Sequence, residues 1–355
     1  MTPATAPPTD RLSIAEARLR FSVVPGYLDT ASVGAPPDST VNAMREALDD
    51  WQAGPARAQD YDRYVDAARA TFANLVGAPI DDVCVGGQVS ALAGLVAASL
   101  PGGARVVAAE GDFTSILFPF LAQAPRGVDV RLVPLTAVAD SVGADTDLVV
   151  VSSAQSSSGE IADLDGIVDA ASSHGAATLV DVTQSCGWLP LDVGRFDYTV
   201  CAAYKWLLSP RGTAFMTVRP ARLEQIRPNA ASWYAGEDIW SSIYGAPLRL
   251  ASTARRLDVS PAWFSWIGTA SSLELLDAVG VEAIQAHDVA LANRLREALG
   301  MPSSNTAIVS IAVDGATERL NASGLRASSR AGAARLSFHL YNTPDDVDRA
   351  VAALR

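Results

Sequence analysis

The sequence predicts an α/β fold, with a mainly parallel seven-stranded sheet between helices and a smaller α+β domain at the C-terminal end. Three observations lead there. Seven short β-branched runs alternate with helix-like stretches between about residues 80 and 220. Those runs are continuously apolar, and a strand with no polar side is one buried on both faces. Two further strand-like runs, each with a helical neighbour, follow after residue 300. With 355 residues, 49% of them apolar, the chain is too long for one small core. The expected organisation is an N-terminal segment (1–45) joining the small domain, a large domain (46–250) and a small C-terminal domain (251–355).

Residues 11–20 read as a lead-in helix, and 38–53 and 61–76 as two more. The seven runs are 82–86, 105–110, 128–134, 147–153, 177–182, 198–203 and 213–218. Residues 228–262, rich in Trp, Tyr, Ser and Gly and without a clear period, read as a loop-rich connection. A helix is expected over 263–299, then strands over 308–313 and 334–341. Thr343, Pro344, Asp345 and Asp346 signal the start of a last helix: an N-cap, a first-turn proline, and acids at the positive end of the dipole.

Composition narrows the function. A net charge of −12 argues against nucleic-acid or anionic-membrane surfaces, which need a clustered positive field, so a small-molecule partner is expected. No apolar run reaches the length of a membrane span, about 18 residues. The start, MTPATAPPTD, lacks the charged and hydrophobic regions of a secretory leader, so a cytoplasmic protein with a disordered first few residues is expected. Cys84, Cys186 and Cys201 show no pairing or metal-ligand spacing and are expected to be core thiols, with no metal site. Of the 27 basic residues only Lys205 is lysine. An arginine-rich coding bias explains the scarcity but not the position of the survivor. Arginine stays protonated and cannot form a Schiff base, whereas a desolvated lysine amine attacks an aldehyde.

Ligands of a parallel sheet gather beyond the carboxyl ends of its strands, and the residues able to do chemistry cluster there. Asp181 ends the run ATLVDV, and Lys205 follows the next run in CAAYKWLLSPRG. Parallel strands bring both to one end of the sheet. A carboxylate opposite a pyridine nitrogen keeps that ring an electron sink, and a freed lysine amine is a natural base and acid at Cα. The plainer alternatives are a turn-capping Asp and a solvated Lys, with Arg211 and Gly212 in a simple turn; the joint spacing favours the chemical reading. Gly86, Gly87, Gln88, Val89 and Ser90 open a helix after a strand, a place where backbone N–H groups meet a phosphate. Phe113, in EGDFTS, is placed to stack on a planar cofactor or to pack in the core. Arg335 opens RLSFHLYNT, and its fork fits a carboxylate bidentately; an exposed edge-strand arginine is the alternative. His339, alternating on the same run, reads as a half-buried structural histidine, since nothing nearby in sequence orients it.

Together these stretches resemble the class V aminotransferase family of fold-type I pyridoxal-phosphate (PLP) enzymes, which includes cysteine desulfurases, kynureninase and isopenicillin N epimerase-like proteins. The resemblance runs from YLDTAS (27–32) to YNTPDDVDRAVAAL (341–354). It implies PLP as cofactor, with Lys205 holding it as a Schiff base, Asp181 on the pyridine nitrogen, Gln184 on the ring hydroxyl and Phe113 stacked on the ring. It implies phosphate contacts from Gly87, Gln88, Val89, Ser90 and Tyr204, and Ser260 at a position that family dimers donate across subunits. Arg335 falls on the carboxylate-binding arginine, and Ala31 and Ser32 on the backbone segment that lines the substrate. A homodimer with the active site at its interface and an amino-acid substrate follow. Two departures stand out. Val89 and Ala202 replace a frequent Thr and Ser, which shifts phosphate contacts to backbone N–H groups, Ser90 and Tyr204. The stretch GLRASSRAGAA (324–334) has no cysteine where desulfurases carry a mobile one, which argues against a persulfide-forming enzyme.

The expected activity is that of an aminotransferase or a C–S or other β-eliminating lyase. An epimerase or kynureninase-like hydrolase ranks next, and a PLP-fold regulator that has lost catalysis is the reading from another class. A dinucleotide oxidoreductase is disfavoured because the phosphate turn lacks GxGxxG. Trp233, Tyr234, Trp240, Tyr244, Trp263 and Trp266 fit an interface, or the wall of a pocket for a bulky side chain.

Overall fold

Every one of the seven runs is a strand in the computed structural model, which describes residues 11–355; the expectation for the first few residues lies outside them. The strands are β1 (Val83–Gly86), β2 (Arg105–Ala109), β3 (Asp129–Val133), β4 (Leu148–Ser152), β5 (Ala177–Asp181), β6 (Tyr198–Ala202) and β7 (Ala214–Val218). They form one sheet in the order β1–β7–β6–β5–β4–β2–β3. Pairing is parallel from β3 through β6, and β7 runs antiparallel to both neighbours, β6 and β1. The apolar runs are explained by two cores, one on each face. Val107, Val149 and Val151 enter one cluster, while Val106, Ala108, Leu148 and Val150 enter the other, the period of two expected of a strand. From β2 the chain steps outward to the edge strand β3, and from β4 it steps inward to β5. The crevice between β2 and β4 is therefore a topological switch point, where ligands of open α/β sheets bind.

A second, antiparallel sheet is built from β8 (Ile308–Ile311), β9 (Ser328–Arg330) and β10 (Ala333–Ser337) in the order β8–β10–β9, over a third apolar cluster. The segment around residues 26–31 runs along it: the Leu28 N–H donates to the Arg326 carbonyl at 2.9 Å, and the Ser337 N–H to the Leu28 carbonyl at 2.9 Å. β9 was not expected; three residues with little burial leave no readable pattern. It pairs with β10 through a two-residue turn, Ala331–Gly332, with φ of +48° and +81°, the sign that the tight hairpin turn requires at both places. The expected strand 334–341 stops at Ser337. The expected helix 263–299 is two helices, Trp263–Val279 and Val281–Ala298. Gly280, at φ +88°, breaks it, and a Cβ there would come within 2.2 Å of the Arg11 guanidinium. Thr343 caps the last helix, Pro344–Leu354, in a reciprocal box with Asp346, as its sequence signal indicates.

An ion pair sealed from water holds the edge of the large sheet. Arg69, on the helix Asp62–Val76, donates to Asp258 at 2.6 Å and to the Val83 carbonyl of β1 at 2.6 Å. Asp258 in turn accepts the Val85 N–H at 2.8 Å, so edge-strand groups that would face nothing are bonded. Both side chains are almost fully buried, at 4% and 0% exposure. Replacing Arg69 with Met strands the carboxylate, and the expected cost is about 3–5 kcal/mol, read from the denaturant midpoint; a loss under about 1 kcal/mol would show that the pair is dispensable.

Candidate active site

The ends of β4, β5 and β6 meet in one cavity, open to solvent on one side. Asp181 is the last residue of β5 and is paired in register with Ser152 of β4. Its Oδ1 accepts the Thr183 N–H at 2.8 Å, and Thr183 Oγ1 accepts the Ala202 N–H at 2.9 Å, which ties the end of β5 to that of β6. Burial pushes the Asp181 carboxyl up to about 6, against the Thr183 hydrogen bonds and the Lys205 charge, which pull it down.

Lys205 stands three residues beyond β6 and is 6% exposed. Burial brings its amine down to about 8; Asp181 opposes that, while Arg335 and Arg330 add to it. Its Nζ lies 5.2 Å from the centroid of the Phe113 ring and 5.8 Å from that of Tyr204. The backbone here is clamped. The Gly34 N–H donates to the Tyr204 carbonyl at 2.9 Å, and a Cβ on residue 34 would sit 1.9 Å from the Lys205 carbonyl oxygen. Leu208, just beyond, is held at φ +54°, a strained conformation for a residue with a branched side chain.

Gly87, Gln88, Val89 and Ser90 line the cavity at the mouth of the helix Val89–Ser99, whose first-turn N–H groups have no partners within the helix. Phe113 opens the helix Thr114–Leu121, lines the cavity and is 45% exposed, so it is not core packing. Its neighbour Asp112 fixes the switch point by accepting the Ser152 N–H at 2.7 Å. Gln184 lines the cavity with its amide orientation set by protein: Oε1 accepts from Trp206 Nε1 at 2.8 Å, and Nε2 donates to the Ala31 carbonyl at 3.1 Å and Ser156 Oγ at 2.9 Å.

Arg335, on β10, is 1% exposed and does not hang from an edge in water. Its Nη2 donates to Ser32 Oγ at 2.6 Å, its Nη1 reaches Ser156, and Asp29 lies 3.6 Å away. Burial, and then the Arg330 charge, lower it to about 10. Ala31 is held by its N–H to Ser337 Oγ at 2.9 Å. Ala31, Ser32, Arg335 and Ser260 are not among the residues that line the cavity; Ala31 and Arg335 reach it through their bonds to Gln184 and Ser156, and Ser32 through Arg335, whereas Ser260 is exposed.

Sequence reasoning missed Ser152, Ser156, Thr183 and Arg211, all of which line the cavity. The Arg211 guanidinium lies 4.9 Å over the Tyr204 ring, so the residue set aside as part of a turn is a cation beside the phosphate-type helix mouth. His339 is fully buried, not half-buried, and it is oriented after all. Its Nε2 is 3.0 Å from the Trp206 carbonyl and its Nδ1 3.2 Å from Asp288, a residue far away in sequence.

A desolvated lysine, a buried strand-end carboxylate, a flat aromatic wall and a cationic helix mouth make this an α/β enzyme site built for a planar, phosphorylated aldehyde. The donor set fits pyridoxal phosphate: charge and N–H groups for the phosphate, Asp181 for the ring nitrogen, and an amine for the aldehyde. The family described as aminotransferase class V matches residues 26–321. An uncharacterised aminotransferase of Bacillus subtilis is 28% identical over 80% of this chain and 81% of its own length. Isopenicillin N epimerase of Streptomyces clavuligerus is 26% identical over 81% of this chain and 83% of its own. The solved cystine C–S lyase C-DES, in complex with cysteine persulfide, superposes with a TM-score of 0.84 at 20% identity, over 93% of this chain and 97% of that one. The chain belongs to the class V aminotransferase family and is a PLP-dependent enzyme of fold type I.

The lowered amine has a measurable consequence. Only the neutral amine reacts with an aldehyde, so cofactor uptake by stripped protein is expected to rise about tenfold per pH unit and level off above about 8, not near the ordinary lysine value of about 10.5. Asp181 favours the charged amine, so Asp181→Asn moves that midpoint to lower pH. Borohydride trapping across a pH series reads both; an unmoved or raised midpoint would contradict the electrostatics.

Proposed function

We propose that this chain is an aminotransferase for a small amino acid, with Lys205 moving the proton at Cα. Bound PLP supplies an aldehyde that condenses with amines and a ring that takes up the electrons left when a bond to Cα breaks. Asp181 would hold negative charge at the ring nitrogen, and Gln184, its amide oriented by Trp206, would meet the ring hydroxyl. The helix mouth at Gly87–Ser90, with Tyr204 and Arg211, takes the phosphate, and Phe113 covers one ring face. Arg335 takes the substrate carboxylate, with Ser32 and the backbone of Ala31 beside it. Ser260 and Tyr244, 91% exposed, are assigned to the interface with a second copy of this chain; Tyr234 and Trp266, expected at an interface or pocket wall, are each 1% exposed and belong to the core.

The observation that carries this reading is that Lys205 is the one amine in the cavity and faces a phenyl ring across 5.2 Å. Epimerisation removes a proton from one side of Cα and delivers it to the other, which calls for acid–base groups on both sides. A Phe113 face has no proton to give. One base working on its own side supports amine transfer over epimerisation; it would serve β-elimination equally, and coupling of keto acid to a new amino acid is what separates those two. A desulfurase would need an accessible thiol, and the three cysteines are buried.

The test is product analysis with a panel of amino acids and a keto-acid acceptor. Keto acid formed in step with a new amino acid is expected. Ammonia or sulfide release without amine transfer, or inversion at Cα, would overturn the reading. Lys205→Ala is expected to abolish turnover, and Arg335→Ala to raise KM about 10- to 100-fold with a smaller change in kcat, the worth of hydrogen bonds to a charged group.

A further inference from the structure

Beyond the carboxylate subsite at Arg335, a second cation is turned toward the same place. Arg330 is the last residue of β9, and its position is fixed by the two-residue turn that pairs it with Ala333 of β10. Its Nη2 donates to Ser32 Oγ at 3.0 Å, the same oxygen that Arg335 Nη2 reaches at 2.6 Å. Two guanidinium groups thus converge on one neutral hydroxyl. The nearest carboxylate, Asp29, forms an ion pair with Arg335 at 3.6 Å and lies 3.9 Å from Arg326, and among the described residues none is paired with Arg330. The Nε of Arg335 is buried without a partner. Asp29 offsets the charge of Arg335 but not that of Arg330, which is left to repel its neighbour until a second anion arrives.

We propose that Arg330 is a second anion subsite beside Arg335, and that the substrate is an amino acid whose side chain carries its own acidic group. This rests on the reading that Arg335 takes the substrate α-carboxylate. Arg335 has a free Nε and two Nη groups near Ser32 and Ser156, enough to bind one carboxylate bidentately by itself. Arg330 donates from Nη1 to the Ser329 carbonyl at 2.7 Å and from Nη2 to Ser32 Oγ at 3.0 Å, which leaves its other N–H groups free for an anion. It is also exposed where Arg335 is buried, so it stands on the solvent side of the subsite. A cation on that side suits the end of a side chain, not the group nearest Cα.

The experiment uses unreactive acids that lack an amine, so it does not depend on turnover. Calorimetry on cofactor-loaded protein compares succinate and glutarate with propionate and butyrate. The dicarboxylates are expected to bind about tenfold or more tightly, the worth of one charge-assisted hydrogen bond. Arg330→Gln is expected to remove that advantage while leaving monocarboxylate affinity within about twofold, and Arg330→Lys to restore part of it. Equal affinity for the two classes, or an Arg330→Gln loss that falls equally on both, would overturn the second subsite; the latter would make Arg330 a helper at a single carboxylate. Arg335→Gln should weaken both classes. If it weakens neither, the α-carboxylate reading fails and takes the proposal with it, an outcome separate from failure of the Arg330 comparison.

Discussion

Keeping one amine and one carboxylate out of water at the ends of neighbouring strands is the constraint on which the rest of the site depends. Burial drives each toward its neutral form, Lys205 down to about 8 and Asp181 up to about 6. Their attraction works against both shifts, so neither group is lost to the other's desolvation. That balance needs a dry floor, and the sheet supplies it: the strands below are packed on both faces by separate apolar clusters. It also needs fixed spacing, which comes from the parallel pairing of β5 with β6 and from the Thr183 link across their ends.

The small sheet supplies a different kind of chemistry, and the chain is arranged to bring the two together. Asp181, Gln184 and Lys205 come from the large sheet, while Arg335 and Arg330 come from β10 and β9. Between them runs the segment 26–35, bonded to both sides. Gly26 donates to Asp346 at 2.7 Å, Ala31 is held by Ser337, and Gly34 lies against the Lys205 backbone. Thr30 and Tyr341 share a buried hydroxyl contact in the same seam. A glycine is required at position 34 because the lysine loop and this segment approach backbone to backbone, leaving no room for a side chain. Acid–base work and anion recognition are thus registered to each other through a few residues of the N-terminal segment.

How much of this was legible in the sequence follows from where each feature gets its energy. Strands buried on both faces must be apolar throughout, so the inner strands stood out, while the edge strand β3, mostly exposed, was marked only by its β-branched alternation; the strands' carboxyl ends pointed to Asp181 and Lys205 from sequence alone. β9 gained nothing from pattern, because its few residues are partly or wholly exposed and its place is set by a turn. The helix break at Gly280 was hidden because a glycine inside a helical pattern is tolerable until a contact such as Arg11 decides against it. The contacts that escaped join residues far apart along the chain: Ser156 meets Arg335, Trp206 steers Gln184, and Asp288 orients His339. Arg211 was set aside as part of a turn, and only the stacking on Tyr204 shows that it faces the cavity.

The hairpin that carries Arg330 also bears on which reactions the site can support. A thiol that attacks a substrate must be ionisable and must reach the bound molecule. Cys84, Cys186 and Cys201 are all buried, and desolvation pushes the Cys84 and Cys201 thiols well above their ordinary range. The stretch before Arg335 has no cysteine to offer, and it closes in two residues, with Ala331 accepting a left-handed conformation to do so. A turn that short cannot swing a nucleophile over the cavity; what it does is hold a guanidinium at a fixed place on the rim. With no accessible thiol among its cysteines, the chemistry proposed for this chain's own groups is proton movement at Cα by Lys205. What distinguishes one substrate from another is then left to the charges arranged around Ser32.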